Sequence, residues 1–208
     1  KDIQHANRAP SAGGIKQLES GQEDQSFLIT AADLLAGSSD LDGDSLTLRR
    51  VRLTSGQGSL SRVDASTWRY TPRDNWFGEV NLSYQISDGK AIVQASASLL
   101  IEPVNDAPTA STVTLSAIEE DSVALISEAD LLATANDIDG DALSVNGLEV
   151  LEGDGTLSQN ADGSWNFTPD GNWNGAVRLG YSVSDGNGGS IQVAAKLTVD
   201  PVNDTPEL

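Results

Sequence analysis

The sequence is 208 residues long, carries 12 basic against 31 acidic residues for a net charge of -19, and has no cysteine. That balance excludes an electrostatic grip on DNA, RNA or anionic lipid, and the missing thiols exclude disulfide staples and zinc thiolate sites. With 38% hydrophobic residues and four tryptophans the chain reads as globular, and no apolar run reaches the ~18 residues of a membrane span.

In chain order, the first signal is "NRAP" at 7–10, a worn copy of the "NDAP" at 105–108. His5, just before it, is the only histidine. With no cysteine and no second base it has no triad to join, and it reads as a solvent-exposed linker residue. A longer segment, "EDQSFLITAADLLAGSSDLDGDSL", opens at Glu23. Within it "TAAD", Thr30 to Asp33, resembles a capping box with aspartate in place of glutamate. It predicts a single helical turn that plugs Leu34 and Leu35 into a core. After the "DLDGD" loop come three predicted short strands over 46–53, 58–63 and 67–71, with turn residues at about ten-residue intervals. Alternation at Val80, Leu82, Tyr84 and Ile86, then at Ala95, Ala97, Leu99 and Ile101, predicts two longer strands with one buried face each. The unit closes on "EPVNDAP", Glu102 to Pro108, whose prolines stiffen the passage into the next segment.

At Glu120 the unit begins again. "EDSVALISEADLLATANDIDGDAL" aligns without gaps on the first copy at a constant offset of 97 residues, and such internal periodicity outranks any local signal. The match runs through "WRYTPRDNWFGEV" and "WNFTPDGNWNGAV", then "SYQISDG" and "GYSVSDG", and after a one-residue insertion reaches "EPVNDAP" and "DPVNDTP". Ser127 to Asp130 repeats the capping box before Leu131 and Leu132. Val177, Leu179, Tyr181 and Val183, then Val193, Ala195, Leu197 and Val199, repeat the long strands. About seven short strands in about 100 residues predict an antiparallel sandwich of immunoglobulin type. The domain organisation expected is 1–10 as the end of a preceding linker, 11–106 as repeat 1 and 107–208 as repeat 2, with 203–208 opening a next linker. The start at Lys1, without a signal-like segment, reads as a piece of something longer.

The chemistry concentrates in "DIDGD", where Asp137, Asp139 and Asp141 fall within five residues. At an effective dielectric of about 20, unit charges ~6 Å apart repel by roughly 2.8 kcal/mol, so three pairs cost roughly 8 kcal/mol. That rivals a domain's whole stability of about 5–15 kcal/mol. Either the loop stays splayed in water or a cation sits among the carboxylates. Recurrence of the loop in both units favours the cation, and oxygen ligands spaced by one or two residues beside glycine suit calcium, with its 6–8 oxygens, better than magnesium. The loop is not an EF-hand: glycine stands fourth rather than sixth, and position twelve is Val51 or Leu148. A glycosidase needs two carboxylates at a set separation, but acids recurring beside glycine in both units read as a structural device, and no enzyme is expected. The pairs Trp68 and Trp165, and Trp76 and Trp173, read either as a carbohydrate-stacking surface or, beside proline and glycine, as core and corner packing.

"PVNDAP", then "DIDGD" about 31 residues later, then "SVSDG", resembles the cadherin repeat. The version with "YTP", "NWxG" and "YxxSDG" is similar to cadherin-like tandem repeats of giant bacterial adhesins and surface proteins. The resemblance implies an all-β fold of two tandem immunoglobulin/cadherin-like Greek-key sandwiches, about seven strands each. It implies calcium shared across each junction: Glu23, with or without Asp24, from the first repeat; Asn105 and Asp106 from the linker; Asp137, Asp139 and Asp185 from the second. Asp141 either binds or caps the turn. By the same logic Asn7, Asp40, Asp42 and Asp88 face a preceding repeat, and Glu120, Asn203 and Asp204 a following one. Pro103 stands where the cadherin linker has its first aspartate, no DRE motif is present, and Arg8 replaces the linker aspartate at the first junction. Fewer ions per junction than the three of cadherins are therefore expected, with a weakened first site.

The function these features lead to is that of calcium-rigidified extender repeats of a bacterial cell-surface adhesin. The expected partners are calcium and adjacent repeats of the same chain, with the adhesion ligand outside this fragment, no nucleic acid, no membrane insertion, and a secreted or cell-surface location. The alternative is a calcium-dependent carbohydrate- or protein-binding module.

Overall fold

The first unit is built from β1 (Lys16–Gln17), β2 (Gly21–Gln22), β3 (Phe27–Thr30), α1 (Ala31–Leu35), β4 (Thr47–Ser55), β5 (Gly58–Arg62), β6 (Thr67–Pro72), β7 (Gly78–Ser87) and β8 (Ile92–Glu102). The computed structural model describes residues 6–203, and its two units divide between Val104 and Asn105. One sheet of the first unit runs β1-β8-β7-β4 and the other β3-β6-β5, with β2 also paired to β8. Because β1 and β2 lie parallel along the same strand, against Ala97–Ser98 and Ile101–Glu102, they are two pieces of one interrupted edge strand. Counted so, the unit has the expected seven strands in a Greek-key sandwich.

The second unit repeats the plan with β9 (Val113–Thr114), β10 (Ile118–Glu119), β11 (Ala124–Ile126), α2 (Glu128–Leu131), β12 (Ser144–Glu152), β13 (Gly155–Gln159), β14 (Trp165–Pro169), β15 (Gly175–Ser184) and β16 (Ser190–Asp200). Its sheets are β10-β16-β15-β12, with β9 also on β16, and β11-β14-β13.

The period-2 pattern decides the core. Val80, Leu82, Tyr84 and Ile86 all point inward from β7 and are buried, as are Val177, Leu179, Tyr181 and Val183 from β15. Each such side chain contributes about 1.5–3 kcal/mol when removed from water. The two cores share no residue.

Both helical turns carry true capping boxes. Thr30 Oγ1 accepts the Asp33 N–H while the Asp33 carboxylate accepts the Thr30 N–H, and Ser127 and Asp130 do the same. The aspartate carboxylate in each box also accepts the cap hydroxyl, at 2.7 and 2.6 Å. Those bonds hold the Asp33 and Asp130 carboxyls below the usual range. Each turn drops one leucine, Leu34 or Leu131, into the core. The carbonyls of these leucines accept the buried hydroxyls of Tyr84 and Tyr181 at 2.9 and 2.7 Å, so the end of the turn leaves no orphan acceptor there.

Trp68 and Trp165 lie in the cores, while Trp76 and Trp173 pack at the corners. A Cβ on Gly78 or Gly175, both at positive φ, would meet those corner rings at 3.1 and 3.0 Å, which explains glycine in "NWxG". Phe77 is the only exposed aromatic side chain among the described residues. The tryptophans are thus packing residues and form no stacking surface.

Strand β4 bulges against β7 between Arg49 and Arg52, and β12 against β15 between Asn146 and Glu149. The bulge places Gly147 at φ 67 in one unit but Arg50 at φ 51 in the other. A left-handed conformation costs a non-glycine residue about 1–2 kcal/mol, partly offset by the ~0.5–1 kcal/mol of extra chain entropy that glycine loses on folding. Arg50→Gly should therefore stabilise the first unit by about 0.5–1 kcal/mol, a rise of a few degrees in its melting temperature by calorimetry.

Candidate metal centre

In the second unit the linker is clamped beside the aspartate loop. Thr109 and Asn136 exchange two backbone hydrogen bonds of 2.8 Å, and Pro108 is buried. This brings the Asp106 N–H to the Asp139 carboxylate at 2.8 Å and the Asn105 amide to Asp185 at 2.9 Å. Within the loop Asp137 Oδ1 accepts the N–H groups of Asp139 and Asp141 at 2.9 and 3.1 Å, an aspartate turn of the usual kind. Asp185, just after β15, is buried, and its Oδ1 accepts from Asn187 and Gly189 N–H at 2.7 and 2.9 Å. The Asn187 side-chain amide donates to Asp141 at 2.7 Å. A Cβ at Gly189 would fall 2.1 Å from Asp185 Oδ2 and 2.7 Å from Ala107 Cα, so only glycine fits there.

These bonds leave charge unspent. Asp137 Oδ2 is buried and has no hydrogen-bond partner among the described residues. Asp137, Asp141 and Asp185 each offer a carboxylate oxygen, all within 4.8 Å of one another. Buried polar atoms are almost always partnered, and three gathered carboxylates, one of them carrying an unsatisfied buried oxygen, make a donor set that fits a hard divalent cation.

The first unit repeats most of these hydrogen bonds, but among the described residues only Asp137, Asp141 and Asp185 bring three carboxylate oxygens within 4.8 Å of one another. Ser11 and Ser39 form the clamp, Asn7 donates to Asp88 at 2.9 Å, and Arg8 N–H donates to Asp42 at 2.7 Å. Asp40 Oδ1 accepts from Asp42 and Asp44 N–H at 2.8 and 3.2 Å, and Asp40 Oδ2 is again buried without a partner among the described residues. The difference is at Asp44, whose carboxylate takes the Lys90 ammonium at 2.9 Å where Asp141 takes the Asn187 amide.

Three donors, the Ala91 N–H, the Asn7 side-chain amide and the Lys90 N–H, hold the Asp88 carboxyl down at about 2. The Asn105 amide, then the Asn187 and Gly189 N–H groups, lower Asp185 in the same direction. Each hydrogen bond favours the charged form. Asn7→Ala removes one donor, and carbon-detected NMR titration should find the Asp88 pKa raised towards the usual carboxylate range.

At the other pole of each unit, Glu23 is buried and its Oε1 accepts the Val104 N–H at 2.7 Å; Glu120 does the same for Val202 at 2.7 Å. Asp88 precedes β8, and Val104 follows it. Eleven strand residues, about 35 Å of rise, lie between them, so no single unit brings Glu23 to Asp88 or Glu120 to Asp185. Asp24 accepts the Asn75 N–H at 2.9 Å and so caps the corner loop. Asn203 is exposed, and Asp204 and His5 lie outside the described residues.

Sequence reasoning missed Asp44, although it is the 97-residue partner of Asp141. It also missed Lys90, Asn187 and Gly189, which sit in the turn where the two units differ in length.

A family model described as cadherin-like domain matches residues 6–102 and again 104–200. The human protocadherin-24 EC1-2 structure is similar over 94% of this chain and 100% of its own, with a TM-score of 0.57 at 16% identity. The human desmocollin-1 ectodomain aligns over 96% of this chain and 42% of its own, with a TM-score of 0.43 at 11% identity. An endo-fucoidan hydrolase from glycoside hydrolase family 107 aligns over 93% of this chain, with a TM-score of 0.36 at 20% identity, and the chain spans 29% of that protein's length. No curated protein matches the sequence. At 16% identity the protocadherin-24 structure bears on the fold alone, but the family model covers both units. The chain belongs to the cadherin-like domain family, as two tandem copies.

Proposed function

We propose that these repeats are calcium-rigidified extenders of an extracellular protein, an adhesin of the bacterial-surface kind that the motifs resemble. The observation that carries the reading is the buried Oδ2 of Asp137, without a hydrogen-bond partner among the described residues, in a carboxylate group with Asp141 and Asp185. Calcium, when bound, supplies the positive charge and oxygen coordination that this carboxylate set lacks.

In this reading Asp137, Asp141 and Asp185 hold the ion, and Asn105 and Asp106 order the linker against them. Asp139 fixes the Asp106 main chain, and Glu23 joins from the preceding repeat. Support for linker ordering comes from two bonds at successive residues. The Val104 N–H is held by Glu23 in the first unit, and Asn105 holds Asp185 in the second. The outer half-sites are Asn7, Asp40, Asp42 and Asp88, and Glu120, Asn203 and Asp204. Extracellular calcium modules bind at about 10⁻⁴–10⁻³ M, so the millimolar calcium outside cells would load them. No helix among the described residues is long and apolar enough to cross a membrane. The carbohydrate-binding alternative loses its aromatic surface, since the tryptophans lie in the cores and corners.

Small-angle scattering of the chain in calcium and in chelator tests the rod. An elongated particle in calcium that becomes flexible in chelator supports it; superimposable profiles contradict it.

A further inference from the structure

We infer that Lys90 acts as a built-in competitor for the cation at the first unit's aspartate cluster, so that the two repeats bind calcium with unequal affinity, the second more tightly. The inference rests on the calcium reading above. It comes from the place where two otherwise matching sets of hydrogen bonds diverge.

Asp44 and Asp141 occupy the same loop position, each donating its N–H to the first aspartate of its loop. Asp141 receives a neutral amide from Asn187 at 2.7 Å. Asp44 receives the full positive charge of Lys90 at 2.9 Å. The first cluster, Asp40, Asp42, Asp44 and Asp88, thus carries one more positive charge than Asp137, Asp139, Asp141 and Asp185. Calcium affinity in oxygen sites follows the charge of the ligand set. A cation entering the first cluster must either displace the ammonium from Asp44 or share the carboxylate with it; at the second it displaces only a dipole.

Fold stability is not at stake in this exchange. The Lys90 side chain is 62% exposed and that of Asp44 31%, and exposed pairs contribute little. The Lys90 backbone N–H that binds Asp88 at 2.7 Å survives any substitution except proline. Lys90 therefore tunes the site without building it. In a string of such repeats, lysine at this position would mark the junctions that loosen first as calcium falls.

The test uses the full chain. Calcium is titrated while amide NMR signals of Gly89 and Gly186, the residues after Asp88 and Asp185, are followed in the wild type, Lys90→Asn and Asn187→Lys. Gly186 should respond at lower calcium than Gly89, and the two variants isolate the share of that difference that Lys90 supplies. Lys90→Asn should lower the Gly89 midpoint, and Asn187→Lys raise that of Gly186, each by roughly tenfold. Signals from the strands report that both variants are folded. Wild-type binding with both variants within about twofold of it overturns the competitor role and leaves the calcium reading standing. No response at either glycine in millimolar calcium overturns both.

Discussion

Asp137→Asn should have opposite effects with and without calcium. In chelator an asparagine oxygen can still accept the Asp139 and Asp141 N–H groups that Asp137 Oδ1 accepts. What disappears is the negative charge on the unpartnered Oδ2, in close company with Asp141 and Asp185. Removing like-charge repulsion leaves the calcium-free variant at least as stable as the wild type. In calcium the same change removes an anionic ligand, and affinity should fall by about a hundredfold. A wild type held at a calcium concentration about 100 times its dissociation constant gains about 2.7 kcal/mol from binding; after a hundredfold loss the gain is about 0.4 kcal/mol. At about 4–8 °C per kcal/mol for a domain of this size, the calcium-dependent rise in melting temperature shrinks by roughly 10 °C or more. Calorimetry in both buffers reads the two signs. A variant that is less stable in chelator yet keeps its full calcium response would show Asp137 to be a structural cap only.

Leu131→Ala should unfold the second unit selectively. Leu131 is fully buried at the end of α2, within a core that shares no residue with the first unit's. Truncating a buried leucine costs about 2–5 kcal/mol, a large part of the roughly 5–15 kcal/mol that holds a domain. The Tyr181 hydroxyl bonds the Leu131 carbonyl, which the mutation keeps, so the loss is one of packing alone. In chelator a melting scan should show a transition tens of degrees lower for the second unit, with the first unit's transition unmoved. Equal lowering of both would mean that the cores are energetically joined.

The sandwich was legible because its long strands obey a strict alternation. Val80 to Ile86 and Val177 to Val183 each set an apolar residue at every second position, and the structure buries those predicted. The edge strand was not legible. Its pieces, Lys16–Gln17 and Gly21–Gln22, are two residues each, held by backbone bonds rather than by a side-chain pattern. The aspartate loops could be read because they recur at one offset; the same offset would have identified Asp44, the partner of Asp141, which was missed. Lys90 and Asn187 could not be read as partners of Asp44 and Asp141, since they pair across 46 residues and lie where the repeats fall out of step. Glu23 was visible as an acid repeated at Glu120. Its grip on the Val104 amide was not, because that contact joins residues 81 apart in sequence through the pairing of β2 with β8.

The most direct test is a crystal grown in millimolar calcium and measured for anomalous scattering. A peak within bonding distance of Asp137 Oδ2 and shared with Asp141 and Asp185 is the result expected. Density there that refines only as water, in crystals soaked to saturation, would contradict the claim that these carboxylates hold a divalent ion.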